Sequence, residues 1–254
     1  MLSSAIFTSC GCGEETSDPF ANTNTFEVCD SAGFKTPGGI AYGKICIDEP
    51  SGLTQLCKTN FIMWLTMALD QQVKEGKEPD VPSIASVFVK TAAEKNKRIF
   101  TEKGSEFDPN HIKELYTVTT VRKIFENTEF ITFLVDEHSF IGESNERHSS
   151  VGYTFKKSDY SLADLIKPSD EKIIRKQITD ELTKKLLKPN DSRKLADILF
   201  SGDEVLKDGM VSLPANGAYL DGDSLVFVYQ EYEIVPYKYG MPCVRLPFVK
   251  RQKK

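Results

Sequence analysis

The chain has 254 residues, of which 40% are hydrophobic and 27% are charged, a composition typical of a globular protein. Its formal net charge is −5, from 32 basic and 37 acidic residues, so it lacks the concentrated basic face that nucleic-acid binding requires. No apolar run reaches the ~18–20 residues that a membrane-spanning helix needs. These features indicate one large domain or two small ones, and they argue against a nucleic-acid partner.

The N-terminal residues resemble the end of a lipoprotein export signal. The small residues Thr8 and Ser9 precede Cys10, and Gly11 follows it. Such signals place small residues beside the cysteine that becomes lipidated. The apolar stretch before the cysteine is short and has no basic n-region, so the alternative is a leader with a chance cysteine. We interpret residues 1–25 as a signal remnant and flexible tether, with Cys10 lipidated and the protein exported to the periplasm or cell surface.

The remaining cysteines allow a disulfide but do not predict a metal site. Four of them lie in the part expected to fold, namely Cys29, Cys46, Cys57 and Cys243. In an oxidising compartment Cys29 and Cys46 can face each other across a hairpin, although three pairings are open to four cysteines. The alternative is a set of buried thiols that act as small hydrophobic side chains. Cys10 and Cys12 lack the C-x-x-C spacing of zinc and redox sites.

The first block of the chain reads as a hairpin followed by two helices. Phe26–Cys29 and residues 40–47 are rich in β-branched and apolar residues, and a Thr-Pro-Gly-Gly turn at residues 36–39 separates them. Apolar residues then recur every three or four positions from Leu53 to Ala68, which predicts a helix. A second helix is predicted to start at the cap Ser83.

The middle of the chain changes to the two-residue period of strands. Residues 117–125, 130–135 and 151–155 are β-rich, and residues 126–129 form a turn signal, so we predict a meander.

An amphipathic helix follows, capped by Ser169 and ending before Pro189, with a shorter helix near Leu195 that stops at Gly202. The Asp-Gly-Asp-Ser run at residues 221–224 predicts a hairpin, and Val244, Leu246 and Phe248 alternate on a last strand. This order predicts an α+β fold in which antiparallel sheets pack with helices, in two similar strand-helix-strand blocks.

The C-terminal pattern resembles a known family. It consists of the apolar run Leu225–Tyr229, the motif Tyr-Glu-Ile-x-Pro-Tyr at residues 232–237, Gly240, and the final strand. It is similar to the extracytoplasmic domain of the lysozyme-sensing (RsiV-like) anti-sigma factor family, which also occurs beside peptidoglycan deacetylase domains. The resemblance implies a C-terminal domain at residues 157–254, and residues 26–156 look like its usual upstream partner domain.

One departure from that family concerns a Gly-Gly-Ala-His turn that relatives carry after the meander. In this chain Gly142 is present, but the histidine lies further along the sequence, at His148. The role of the family histidine is therefore not transferred to His148.

The tyrosine-rich segment supplies the candidate ligand-binding residues, which are Tyr229, Tyr232, Glu233, Tyr237 and Tyr239. Tyrosines bury an aromatic body and present a hydroxyl, which makes them good contact residues. We expect the segment to fold as sheet that ends or bulges at Pro236. Glu233 needs a donor there, and Arg245 is a candidate. The alternative is that the same residues serve only packing.

The sequence predicts neither catalysis nor a cofactor. Its three histidines are His111, His138 and His148, and none has the i, i+4 spacing of H-E-x-x-H. His148 and the adjacent Ser149 do not make a nucleophile elbow. A zinc site drawn from Glu137, His138 and His148 is therefore not predicted.

The resemblance implies an extracytoplasmic binding or sensing module that is not itself an enzyme. Its partner would be an extracellular protein such as lysozyme, or cell-wall glycan, with membrane contact through the lipid anchor alone. The alternatives are an envelope hydrolase or deacetylase, or an accessory domain of one, and a purely structural lipoprotein.

Overall fold

A computed structural model describes residues 23–36, 39–71, 79–103, 114–142, 145–200 and 205–248. Cys10, Cys12, His111 and Gly202 lie outside these residues, as does the tether before residue 23. Within the described residues, no helix combines the length and the apolarity needed to cross a bilayer.

The first block is built on a five-stranded sheet whose spatial order follows the chain. Its strands are β1 (Thr25–Thr36), β2 (Gly39–Pro50), β3 (Glu114–Glu126), β4 (Phe130–Phe140) and β5 (Arg147–Lys156). Neighbouring strands pair antiparallel except β2 and β3, which are parallel because helices α1 (Gln55–Ala68) and α2 (Val81–Lys103) connect them. The predicted hairpin and meander are confirmed.

Helices α1 and α2 cover one face of this sheet and enclose the first core. Phe61, Trp64 and Leu65 of α1 pack against β4 and β5, where the Phe61 and Phe133 rings lie 5.2 Å apart. The close approach of α2 to β2 depends on Gly43, because a Cβ there would lie 2.7 Å from the carbonyl oxygen of Val89.

The second block has one helix and a smaller sheet. It comprises α3 (Glu171–Leu186), the short strands β6 (Leu206–Lys207) and β7 (Met210–Val211), and a three-stranded antiparallel sheet of β8 (Tyr219–Asp221), β9 (Ser224–Val228) and β10 (Cys243–Pro247). Its core joins Ile178 and Leu182 of α3 to Phe227 and Val244. The predicted hairpin turn is confirmed, with Asp221 paired to Ser224. The whole is an α+β fold, as expected.

The two blocks pack through the second face of the large sheet. Tyr219 of β8 lies over Gly152 of β5, where an added Cβ would sit 2.1 Å from Cγ of the tyrosine ring. Thr154 hydrogen-bonds Thr132 across the large sheet and accepts from the backbone N–H of Leu220. The large sheet is thus buried between helices on one face and the small sheet on the other.

Both predicted helix caps are wrong by one to three residues. Helix α2 begins at Val81, and Asp80 accepts a hydrogen bond from the N–H of Ser83 at 2.9 Å, so the carboxylate caps the helix and the serine lies in its first turn. Helix α3 begins after Asp170, and the hydroxyl of Ser169 contacts that carboxylate without capping.

Of the four cysteines expected in the folded part, two form a disulfide and two are thiols. Cys29 and Cys46 are opposite each other on β1 and β2 and form a disulfide, with their Cα atoms 4.1 Å apart. Cys57 is buried and Cys243 is half-buried, and both are thiols.

The tyrosine-rich segment is not sheet, which corrects the prediction. Strand β9 ends at Val228, and the chain then turns through residues 229–236 and forms a short 3-10 helix at Tyr237–Tyr239 before β10. Ile234 and Val235 are buried, so their apolar character reflects loop packing and not a strand.

Candidate functional site

A groove of about 860 Å³ lies beside the edge strand β5, at the end of the sheet where β4 finishes and β5 begins. Helix α2 forms one wall with Phe88, Thr91 and Lys95, and Thr117, Glu137 and Ser139 of the large sheet also line it. The start of β5 and the two residues before it contribute residues 145–149, and the tyrosine-rich loop contributes Gln230, Glu231, Tyr232 and Tyr237. This volume is typical of sites that hold small ligands or polymer segments.

Two tyrosines form an aromatic surface on the loop side of the groove. The rings of Tyr232 and Tyr237 stack at 5.7 Å between centroids with an interplanar angle of 27°. Tyr232 is 56% exposed although it is a large aromatic residue. Its backbone has φ of 62°, a left-handed conformation that side chains other than glycine adopt at a cost in free energy. The loop therefore holds an exposed ring in a strained position.

The loop is fastened to the outer edge of β5 at two points. The side-chain amide of Gln230 accepts from the N–H of Ser150 at 3.0 Å and donates to its carbonyl oxygen at 2.8 Å. Just before the start of β5, the hydroxyl of Tyr237 lies 3.5 Å from the carbonyl oxygen of Glu146. These contacts fix the aromatic surface relative to the sheet.

Glu146 connects three elements on this side of the groove. Its carboxylate accepts from the hydroxyl of Tyr116 on β3 and lies 3.6 Å from Nε2 of His148 on β5. Burial raises the pKa of Tyr116, and the hydrogen bond to Glu146 raises it further, so the tyrosine stays a neutral donor at neutral pH.

His138 and His148 are cross-strand neighbours, a pairing that we did not predict. They pair in the β4–β5 register, and their ring centroids are 4.3 Å apart. Burial lowers the pKa of His138, and the nearby His148 lowers it further.

The groove residues do not include the group whose ligand atoms could in principle hold a metal ion. Among the described residues, the single group of three that brings ligand atoms together is Glu27, Cys29 and Cys46. Its two sulfur atoms are joined in the disulfide, so they are not available to a metal.

The predicted ligand-binding residues separate into two sets. Tyr232 and Tyr237 line the groove. Tyr229 is fully buried and donates its hydroxyl to the carbonyl oxygen of Ser212 at 2.6 Å, which corrects the prediction of a ligand contact for it. Tyr239 packs against the second core and does not line the groove.

Glu233 has a structural role that differs from the predicted one. Its two carboxylate oxygens accept from the backbone N–H groups of Ala215 and Gln230, each at 2.7 Å. The predicted pairing with Arg245 is wrong, because that guanidinium binds Asp221 at 2.8 Å. The carboxylate therefore stabilises the loop that carries the aromatic surface.

Sequence reasoning missed the contributions of Gln230 and His148 to this site. A count of residues around the turn after β4 would have paired His138 with His148. No local signal marks Gln230 as a strand-edge ligand, because its partner lies 80 residues away.

Comparison with known proteins identifies a domain but no activity. Residues 163–249 match the family model of DUF3298, whose description is "Protein of unknown function". No functionally curated protein matches the chain.

Two solved structures share the fold. One is a DUF3298 family member from Bacteroides fragilis NCTC 9343, at a TM-score of 0.64 and 14% identity over 89% of this chain and 90% of that one. The other is a DUF3298 family protein from Pseudomonas aeruginosa PAO1, at a TM-score of 0.55 and 12% identity over 91% of this chain and 92% of that one. The chain thus contains a region that matches DUF3298, on a fold found across nearly its whole length in proteins of that family.

Proposed function

We propose that this protein is an extracytoplasmic binding module that holds peptidoglycan in the groove beside β5, without catalysis. The observation that carries the proposal is the stacked pair of Tyr232 and Tyr237, of which Tyr232 is 56% exposed and strained. A strained backbone that exposes an aromatic ring costs free energy in the unbound protein, and a ligand that stacks on the ring offsets this cost.

The chemistry of the groove suits a polar polymer with apolar ring faces. A sugar ring packs its C–H face on an aromatic ring, while its hydroxyl groups need donors and acceptors at the rim. The groove supplies carboxylates from Glu137 and Glu231, an amide from Gln230 and a cation from Lys95. The acidic lining also makes a strongly anionic ligand a poor fit.

Three features support a location outside the cytoplasm. The Cys29–Cys46 disulfide is of a kind that persists in oxidising compartments. The sequence around Cys10 resembles a lipoprotein signal, and the C-terminal pattern resembles an extracytoplasmic family. We therefore propose that a lipid at Cys10 anchors the protein.

The position of Thr23 fits this anchored arrangement. Its N–H and hydroxyl bind Glu126 at the end of β3, whereas the groove is lined by Thr117 near the start of the same strand. Nine residue steps along the strand separate the two positions by roughly 30 Å. Thr23, the first residue that the structure describes, therefore lies at one end of the sheet, and the groove lies at the other.

The alternative of a hydrolase or deacetylase has less support. Glu233, a carboxylate we expected at the site, is already bound by two backbone N–H groups. The alternative of a purely structural lipoprotein gives no reason for a strained tyrosine at a groove.

Cosedimentation with purified peptidoglycan tests the proposal. Tyr232→Ala is expected to weaken binding about tenfold or more, since truncation of an aromatic contact residue costs about 2 kcal/mol. Phe26→Ala is the matched control, because Phe26 is 52% exposed but lies at the beginning of β1 and does not line the groove.

Two results would contradict the proposal. One is that wild-type protein fails to sediment with peptidoglycan, or that Tyr232→Ala sediments as wild type does. The other is retention on immobilised lysozyme together with no retention on the wall, which would assign the groove to a protein partner.

A further inference from the structure

We propose that the backbone N–H and C=O of His148 form a binding site for one residue of an extended peptide, carried by the wall polymer that occupies the groove. This inference rests on the proposed function and names the part of the polymer that is recognised. It assigns the groove to peptide-bearing wall material and not to bare glycan.

The direction of these two groups follows from the hydrogen bonds of β5. In an antiparallel ladder both backbone groups of a residue point to the same side, and the side alternates along the strand. The backbone N–H and C=O of Ser150 both hydrogen-bond the side chain of Gln230, and the carbonyl of Thr154 accepts from the N–H of Ala163. The backbone groups of the even-numbered residues therefore point away from β4. The β4–β5 register runs without a shift from Arg147 to Lys156, so His148 points outward too.

The outward backbone N–H and C=O of His148 are available to a ligand. No hydrogen bond from the described residues reaches them. On one side Gln230 occupies the edge at Ser150, and on the other Tyr237 lies at Glu146, while His148 itself lines the groove. Between these two contacts, the open part of the strand edge is therefore one residue wide.

That width decides which partner fits. A protein that adds a full strand needs several consecutive outward residues, and Gln230 and Tyr237 block the neighbouring ones. One residue of an extended peptide presents an N–H and a C=O on the same side and needs a single opposing residue. The trans acetamido group of a wall sugar directs its N–H and C=O in opposite directions, so it cannot engage both groups of His148.

Gln230 shows the same chemistry two residues away, because its amide offers an acceptor and a donor side by side and satisfies both groups of Ser150. A bound peptide residue would repeat this arrangement about 6.6 Å along the strand.

The charges of the groove fit a short peptide that carries both signs. Lys95 can pair with a carboxylate, while Glu137 and Glu231 can pair with an ammonium group. Stem peptides of cell walls have this mixture of free carboxylates and an amine.

The test compares two soluble fragments by isothermal titration calorimetry on the intact chain. One is a wall disaccharide that bears a tetrapeptide stem, and the other is the same disaccharide without the stem. The stem-bearing fragment is expected to bind at least about tenfold more tightly, as two additional hydrogen bonds and an ion pair would give.

Two variants separate the backbone of His148 from its side chain. His148→Pro removes the outward N–H, and proline is tolerated on an edge strand where that N–H leaves the ladder, so the tenfold advantage should disappear. His148→Ala keeps the N–H and should keep the advantage.

A second test changes the ligand instead of the protein, so it does not depend on the folding of the proline variant. N-methylation of the stem peptide, one amide at a time, should weaken binding about tenfold at one position and not at the others.

The outcomes distinguish this inference from the proposed function. If both fragments bind equally and Tyr232→Ala weakens both, peptidoglycan binding stands and the peptide assignment is overturned. If His148→Ala also removes the advantage, the contact is made by the side chain, and the backbone assignment is overturned. If neither fragment binds, the proposed function and this inference both fail.

Discussion

Replacing Gly152 by alanine is expected to lower the free energy of unfolding by about 3 kcal/mol, one of the two largest effects we predict for a single substitution. The added Cβ would lie 2.1 Å from Cγ and 2.2 Å from Cδ1 of Tyr219, distances that require one of the two sheets to move. Because Tyr219 joins the small sheet to the large one, the strain would fall on the packing between the two blocks. Urea unfolding followed by circular dichroism measures the loss.

Two further variants test this explanation. Gly33→Ala, on β1, places its Cβ 3.2 Å from Cβ of Tyr42 and should cost about 1 kcal/mol or less. In a Tyr219→Ala background the Gly152→Ala change should cost much less than it does alone, because the clashing ring is gone. Equal costs in both backgrounds would show that the strain does not come from this contact.

Glu126→Gln is expected to destabilise the protein by about 3 kcal/mol, since it removes the buried carboxylate charge that pairs with Lys123 and Lys157. The side chain of Glu126 is fully buried and accepts from Lys123, Lys157 and the N–H and hydroxyl of Thr23. These contacts link Thr23, just before β1, to the ends of β3 and β5. Urea unfolding measures the loss. The matched control is Glu27→Gln, at an exposed glutamate, which should leave the urea midpoint nearly unchanged.

The same carboxylate gives this prediction a pH dependence with a definite sign. Burial by itself would raise the pKa of Glu126, but the hydrogen bonds from Lys157, Thr23 and Lys123 outweigh it, and the pKa is lowered. A lowered pKa contributes stability above the ordinary value of 4.5, and this stability is lost as the pH falls through the lower value in the fold. Wild type should therefore lose more stability below pH 4.5 than Glu126→Gln does. Parallel curves for the two proteins would contradict the network.

Local turn chemistry accounts for the parts of the fold that the sequence predicted. The hairpin before β2, the turn at residues 126–129 and the Asp-Gly-Asp-Ser hairpin all contain residues whose backbone preferences fix a turn. The parallel pairing of β2 and β3 was not predicted, because it depends on where two intervening helices pack. The cap at Ser83 was misplaced because Asp80, with the same capping chemistry, lies three residues earlier.

The tyrosine-rich loop shows why the site was only half predictable. Ile234 and Val235 have the composition of a strand, but they are buried by the second core, and the carbonyl of Ile234 accepts from Phe200. Exposed and buried tyrosines look the same in sequence, so Tyr232 and Tyr229 could not be told apart. The contact between Gln230 and Ser150 exists only in the folded chain, and it defines the edge on which the site depends.

Hydrogen exchange of the intact chain, with and without soluble stem-bearing wall fragments, tests the central claim most directly. Occupied groove residues should exchange more slowly on binding, with protection concentrated at residues 145–150 and 230–237 and strongest at the amide of His148. Protection that is absent there, or that appears only on surfaces away from the β5 edge, would contradict a peptidoglycan site in this groove.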